Sequence, residues 1–317
     1  MSENNELKQL WHNGRLIPWN QGQTHVMSHV IHYGSGCFEG IRAYATADGP
    51  AVFRLREHIE RLERSAQLYQ IPLAYSVADI MTGCLDTLQA SGLDSAYIRP
   101  IVYYGYSTLG VEPKNCPVNV AIACFNWGAY LGDDGMAHGV TIGVSPWRKF
   151  HYTNFPTTAK ACGQYLNSLL AKLDAKKQGF DEALLLNMEG NIAEGSGQNL
   201  FIVKNGVLYT NDEKSSILLG ITRDTIIQLA KDQGLTTQIG ILTLDELREA
   251  DEAFFTGTAS EVTPIRAVDH QDIGAGKPGP ITTQLAKLYF DAVKGRAEQY
   301  RHWLSMLPEG REAEQPV

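Results

Sequence analysis

The chain has 317 residues, with 35 acidic against 27 basic side chains for a formal net charge of -8, and 44% of it is hydrophobic. At roughly 150 residues per domain this length suggests two domains with a substantial core, and the composition excludes intrinsic disorder, a collagen and a disulfide miniprotein. An acidic balance gives no general attraction to phosphate backbones or anionic membranes, so neither nucleic acid nor a membrane is an expected partner.

The N-terminus MSENNELKQLWHNG lacks a basic patch followed by an apolar run, so no signal peptide is read. The long uncharged stretch from Asn115 to Gly132 is interrupted by Pro117, Asn119 and Asn126 and reads as a buried strand running into a turn. Cys37, Cys84, Cys116, Cys124 and Cys162 are odd in number and form no CxxC pair, which argues against a disulfide framework and against zinc. The expectation is a cytoplasmic protein with reduced thiols.

In chain order, Asn13-Gly14 between Leu10-Trp11 and Leu16-Ile17 predicts a tight hairpin, because both residues tolerate positive φ. A helix follows in REHIERLERSAQLYQIP, with Ile59, Leu62, Ala66 and Tyr69 on one face and Pro72 as its stop. A second helix is read from about Val77 to Gln89, then strands at Ala96 to Tyr106 and Val118 to Phe125, with GAYLGDDG as a linker. Beyond it, VTIGVS reads as a strand, and a helix from near Gly163 to Gly179 aligns Leu166, Leu169, Leu170 and Leu173 on one stripe. Strands are expected at Glu182 to Asn187, NLFIVK and VLYT, the last two joined by an Asn205-Gly206 turn. Helices are expected after Thr222 and after Thr243, which has capping-box spacing to Glu246; strands return at EAFFT and EVTPIRAV, and a last helix covers Thr282 to Tyr300. The organisation expected is a small α/β domain over 1-125, a linker over 126-135 and a large domain over 136-317.

Three patterns are set aside. GAGKPG matches GxGxxG, but Pro278 and Pro280 obstruct the helix a dinucleotide fingerprint requires, and a surface turn is expected. His29 and His32 lack a third ligand at metal spacing and read as hydrogen-bonded histidines. Ser196 in GSG is too tightly spaced for a nucleophile elbow.

Four segments together fit a pyridoxal phosphate site, which needs an amine, an acid for the pyridine nitrogen and a phosphate cup of helix N-terminal amides, hydroxyls and a guanidinium. Lys160 lies at a helix mouth among short side chains, where burial frees an amine; the alternative is a solvated lysine. Glu194 sits at a strand end before glycines that let backbone approach a planar ring; the alternative is a hairpin carboxylate on the surface. GITRD puts a glycine ahead of a helix start with available amides, against plain capping by Thr222, and TGTASE is a loop of small and hydroxyl residues at a strand end.

PTTAKACGQYLNS, NIAEGSGQNLF, LLGITRD and FFTGTASEVTP, preceded by HYGSGCFEGIRAY, HIERLERSA, AYIRP and WGAYLG, resemble in order and spacing the branched-chain amino acid aminotransferases. The resemblance runs from about Leu10 to the last helix. It implies a fold-type IV enzyme of mixed α+β class, with two α/β domains and a pseudo-barrel sheet in the larger, using pyridoxal 5'-phosphate and no metal. It also implies transamination of leucine, isoleucine and valine with 2-oxoglutarate, small-molecule amino acids and 2-oxo acids as partners, and a homodimer or larger homo-oligomer.

By the same resemblance Lys160 is the Schiff-base lysine and proton shuttle, Glu194 pairs with the pyridine nitrogen and Tyr165 lies near the ring oxygen. Arg61, Ile221, Thr222 and Thr258 form the phosphate cup, and Leu218 packs on the ring. Tyr97, Thr258 and Ala259 bind the α-carboxylate. Tyr33, Phe38, Arg99 and Tyr130 line the side-chain pocket, with Val111 from a neighbouring subunit. Cys162 replaces an expected glycine, which could crowd the lysine or make the site thiol-sensitive, and Leu219 stands where proline is common. D-amino acid transaminases, (R)-amine transaminases and aminodeoxychorismate lyases share the fold type, but AYIRP and WGAYLG favour the branched-chain form.

Overall fold

The computed structural model describes residues 8–128 and 131–307. Its described residues fall into two units, one drawn from Met1–Trp127, Ala159–Gly163 and Val293–Val317, the other from Gly128–Thr158 and Gln164–Ala292. The expected partition gave each domain one continuous stretch; here the first unit also takes a five-residue segment containing Lys160 and a C-terminal segment. Pairing between distant segments accounts for both additions: Cys37 bridges Ala161, and the strand Leu304–Met306 pairs with residues 51–53.

The first unit contains β1 (Gln9–His12), β2 (Arg15–Pro18), α1 (His29–Tyr33), β3 (Gly36–Phe38), β4 (Ile41–Thr46), β5 (Gly49–Phe53), α2 (Leu55–Leu68), α3 (Val77–Ser91), β6 (Ala96–Tyr104) and β7 (Val118–Phe125). Among the described residues these form an eight-stranded antiparallel sheet in the order Leu304–Met306, β5, β4, β6, β7, β1, β2, with β3 also on β6. The β1–β2 hairpin pairs His12 with Arg15 across Asn13 and Gly14, at φ 47° and 95°, as the turn chemistry predicts. Ile59, Leu62 and Ala66 of α2 and Ile80, Cys84 and Leu88 of α3 are buried with Trp11, Ile41, Ile98 and Ile122 of the sheet. A Cβ at Gly83 would stand 2.9 Å from both Trp11 and Ile122, so the missing side chain lets α3 lie close on the strands.

The second unit contains α4 (Gly132–His138), β8 (Val140–Val144), α5 (Tyr165–Lys177), β9 (Glu182–Leu186), β10 (Ile192–Gly195), β11 (Asn199–Lys204), β12 (Val207–Asn211), α6 (Ile221–Asp232), β13 (Thr237–Gly240), α7 (Leu244–Arg248), β14 (Glu252–Gly257), β15 (Glu261–Val268) and α8 (Pro280–Val293). Its mixed sheet has nine strands in the order β10, β9, β8, β15, β14, β11, β12, β13, with Gln271–Asp272 on β15. The sheet is curled, and β8 pairs in parallel with both β9 and β15. Thr243 and Glu246 form the expected capping box at the start of α7.

Three local expectations change. The segment read as a linker runs into α4, which begins at Gly132 and whose Gly135 approaches Val140 too closely to admit a Cβ without adjustment. The final helix ends at Val293, where Gly295 turns the chain at φ 69°, and Glu298–Trp303 continues as a separate 3-10 turn. The leucine stripe of α5 forms, but Leu166, Leu169, Leu170 and Leu173 are 65%, 51%, 44% and 58% exposed. At about 100° per residue, Ser168, Ala171 and Ala175 lie on the opposite side of α5, and these small side chains are the ones buried; the two alanines pack with Ala183 and Leu185. Periodicity found an apolar stripe, but small residues allow the closer helix–sheet approach and took the inside.

Candidate active site

In the first unit, Lys160 occupies an irregular segment held by its backbone. Its N–H donates to Ser65 Oγ of α2 at 3.0 Å, and its carbonyl accepts from Phe38 N at 3.0 Å. Nζ lies 5.1 Å from the centre of the Phe38 ring. Arg99 of β6 lies 4.8 Å over that ring and 5.2 Å over Tyr97, and its Nη2 donates to the Tyr97 hydroxyl at 3.3 Å. Gly40 makes room for that hydroxyl, which a Cβ there would strike. Burial pushes the Lys160 amine down to about 8, with the Glu39 carboxylate opposing and Arg61 and Arg99 reinforcing the shift.

Beneath this amine lies a charged cluster that sequence reasoning missed. Glu39 is fully buried and accepts from Arg61 Nε at 2.6 Å and Nη2 at 2.9 Å, from His58 Nδ1 at 2.7 Å and from Gly40 N at 3.2 Å. Burial alone would push its carboxyl up, but Arg61 and His58 outweigh that and hold it well below the usual carboxylate range. Arg61, expected in a phosphate cup, is thus oriented by Glu39. Glu39 stands in the FEGIR segment, whose chemistry is invisible until α2 is folded against it.

Tyr33 donates its hydroxyl to Leu109 O at 2.7 Å and leans on His29. Val111, on the same loop as Leu109, is 80% exposed. His29 bonds Ser35 Oγ and Gly110 O, and His32 bonds Val26 O, as expected of structural histidines. Burial raises the Cys162 thiol to about 11, so it stays protonated at neutral pH. Tyr130 lies outside the described residues.

In the second unit, Glu194 is at the end of β10 with its carboxylate held on both sides. Oε1 lies 2.7 Å from Lys149 Nζ, while Oε2 accepts from Leu218 N at 3.0 Å and Asn199 Nδ2 at 3.4 Å. Asn199 also donates to Leu218 O at 2.8 Å, and a Cβ at Gly220 would collide with its Oδ1. Glu194, Leu218 and the start of α6 are therefore one constellation. Gly220 precedes Ile221 and Thr222 as the N-cap, with no side chain capping the helix, so Thr222 does not serve as the cap. Thr256 pairs with Asn199 in register and leads into the loop carrying Thr258 and Ala259. The hydroxyls of Thr256 and Ser260 beside that loop are buried without partners among the described residues. Tyr165 opens α5. Lys149 was also missed: WRKF carries no motif, although a buried Glu194 demands a counter-charge.

In the first unit a neutralisable amine, and in the second a fixed buried carboxylate, an uncapped helix start and unpartnered hydroxyls, are each of the kind that a planar, phosphate-bearing group calls for. Residues 36–268 match the family described as Amino-transferase class IV. The branched-chain-amino-acid aminotransferase of Pseudomonas aeruginosa is 45% identical over 298 residues, 94% of this chain and 97% of that protein. A crystal structure of the Escherichia coli branched-chain amino acid aminotransferase superposes with a TM-score of 0.93 at 43% identity, covering 95% of this chain and 99% of that one. The T.th. branched-chain amino acid aminotransferase complexed with N-(5'-phosphopyridoxyl)-L-glutamate gives 0.89 at 42% identity, covering 95% and 98%. The chain belongs to the class IV aminotransferases and, within them, to the branched-chain amino acid aminotransferase family, with the mixed α/β architecture of fold type IV.

Proposed function

We propose that the protein transfers the amino group of leucine, isoleucine or valine to 2-oxoglutarate, reversibly, giving branched 2-oxo acids and L-glutamate, with pyridoxal 5'-phosphate as cofactor. The observation carrying this reading is Lys160, an amine pushed down to about 8 and set over Phe38 beside Arg99. When bound, pyridoxal phosphate supplies a carbonyl carbon that receives the amino group and a ring that accepts electrons. The T.th. relative, complexed with a phosphopyridoxyl-glutamate, supports both the cofactor and glutamate.

The residues divide the work. Arg61, Ile221, Thr222 and Thr258 take the phosphate, for which the uncapped α6 offers its first amides. With the cofactor bound, Leu218 would pack on the ring, Tyr165 would meet the ring oxygen and Glu194 would keep a proton at the ring nitrogen. Lys160, neutral in a useful fraction near its lowered pKa, moves the proton at the substrate α-carbon. Tyr97, Thr258 and Ala259 receive the α-carboxylate, while Tyr33, Phe38, Tyr130 and Arg99 line the side-chain pocket, with Val111 contributed by a second subunit. Turnover of leucine, with none of D-alanine, by the PLP-loaded protein is the expected outcome; preference for D-alanine contradicts the reading.

One pocket must accept both an aliphatic chain and a carboxylate. Phe38 and the ring of Tyr33 would give apolar walls, and Arg99 has no carboxylate partner among the described residues, with its buried Nε unbonded. Arg99→Met is therefore expected to raise KM for glutamate and 2-oxoglutarate at least ~10-fold while leucine changes much less. Half-reactions with each amino acid measure this, and equal losses contradict it.

A homodimer follows from the same reading, and the leucine face of α5 supports it. The segment carrying exposed Trp147, Tyr152 and Phe155 lies alongside, tied by Asn167 Nδ2 to Arg148 O and by Gln164 Nε2 to Pro156 O. These aromatics and leucines make one contiguous exposed apolar face of the kind that marks a protein–protein interface. Leu169→Glu with Leu173→Glu should halve the mass measured by light scattering; an unchanged dimer places the interface elsewhere. The five free cysteines support a reducing compartment, and we place the protein in the cytoplasm.

A further inference from the structure

Lys149 is 6% exposed and Glu194 7%, and the two form a buried ion pair at 2.7 Å. Lys149 approaches from the segment after β8, where its own N–H donates to Leu186 O at 2.8 Å and its ammonium lies 4.7 Å over the Phe150 ring. Asn199 comes from β11, and Leu218 from the segment before α6. Three elements thus clamp one carboxylate, and Lys149 brings the only formal charge among its partners in the described residues.

We infer that Lys149 is a positioning residue for the transamination: it is the counter-ion of Glu194 while the cofactor is absent, and it holds Oε1 so that the carboxylate is already oriented when a protonated ring nitrogen arrives. The inference rests on the function proposed above. A buried carboxylate that loses its cation is left uncompensated, which is far costlier than removing both partners. A bound pyridinium supplies a replacement cation, so loss of Lys149 must harm the cofactor-free protein more than the loaded one. A lysine that merely braced the fold would harm both alike.

The test compares thermal unfolding with and without saturating PLP, together with leucine kinetics, for wild type, Lys149→Met and Lys149→Arg. Lys149→Met is expected to lower the Tm of the cofactor-free protein by about 5 °C or more and that of the loaded protein by much less, so the rise produced by PLP widens. Its kcat should fall about tenfold with KM for leucine little changed, and Lys149→Arg should restore both measurements. Equal Tm losses in the two forms, or an unchanged kcat, overturn the inference alone. If wild type shows no PLP-dependent rise in Tm, the cofactor reading fails and takes this inference with it. Should Lys149→Met not fold, adding Glu194→Gln removes the orphaned charge and must restore folding; a double variant that stays unfolded overturns the counter-ion role.

Discussion

Lys160→Ala is expected to lose at least ~10⁴-fold in turnover, about 5.5 kcal/mol of barrier, while keeping its fold. The fold survives because Lys160 is tied in by its backbone: its N–H bonds Ser65 and its carbonyl accepts from Phe38, and alanine keeps both groups. What disappears is an amine pushed from 10.5 down to about 8 by burial, with Glu39 resisting. Below pH 8 that amine is mostly protonated and above it mostly neutral, so labelling of Lys160 in cofactor-free protein should rise through about pH 8, well below an ordinary lysine. Removing the opposing anion with Glu39→Gln disfavours the protonated form, so its labelling midpoint should move lower still. Mass spectrometry of labelled peptides reads both midpoints; a wild-type midpoint near 10.5 would show that the amine is not desolvated.

Glu194→Gln should still bind PLP but lose roughly 10³-fold in turnover, about 4 kcal/mol. The amide reproduces much of the shape of the carboxylate and can still meet Leu218 N, but it carries no charge to keep a proton on the ring nitrogen. It also leaves the buried Lys149 ammonium without its anion. The loss should therefore fall on kcat, with KM for leucine little altered. Titration of bound cofactor by absorbance and steady-state rates measure the two effects, and an unchanged rate would remove Glu194 from the chemistry.

Where an element depends on local rules, the sequence was legible. Asn13-Gly14 and Asn205-Gly206 make their hairpins because only residues tolerant of positive φ fit there, and Thr243 with Glu246 caps α7 because the spacing satisfies two orphan amides. Where burial depends on choosing between two apolar faces, it was not. The leucines of α5 form the stripe that periodicity shows, but periodicity does not say which face is buried: Ala171 and Ala175 lie inside, since their size sets how near the helix can come to β9.

The site divides similarly. Lys160, Glu194 and the glycine ahead of α6 are each common taken singly, and they became candidates through the ordered motifs that carry the family resemblance. Glu39, His58 and Lys149 escaped because their meaning lies in partners brought from other elements, with Arg61 on α2 reaching Glu39 after β3 and Lys149 reaching Glu194 on β10. A buried ionised group requires its counter-charge, so each assigned charge could have prompted a search for its mate, but the sequence holds 62 charged side chains, 27 basic and 35 acidic, and no spacing that singles out the pair.

The central claim is that one pocket hands nitrogen from a branched aliphatic amino acid to 2-oxoglutarate. Purified protein loaded with PLP, given leucine labelled with ¹⁵N on its amino group and unlabelled 2-oxoglutarate, should produce ¹⁵N-glutamate and the branched 2-oxo acid in equal amounts, and Lys160→Ala should produce neither. Release of the label as free ammonium, or its absence from glutamate while leucine is consumed, would contradict the account.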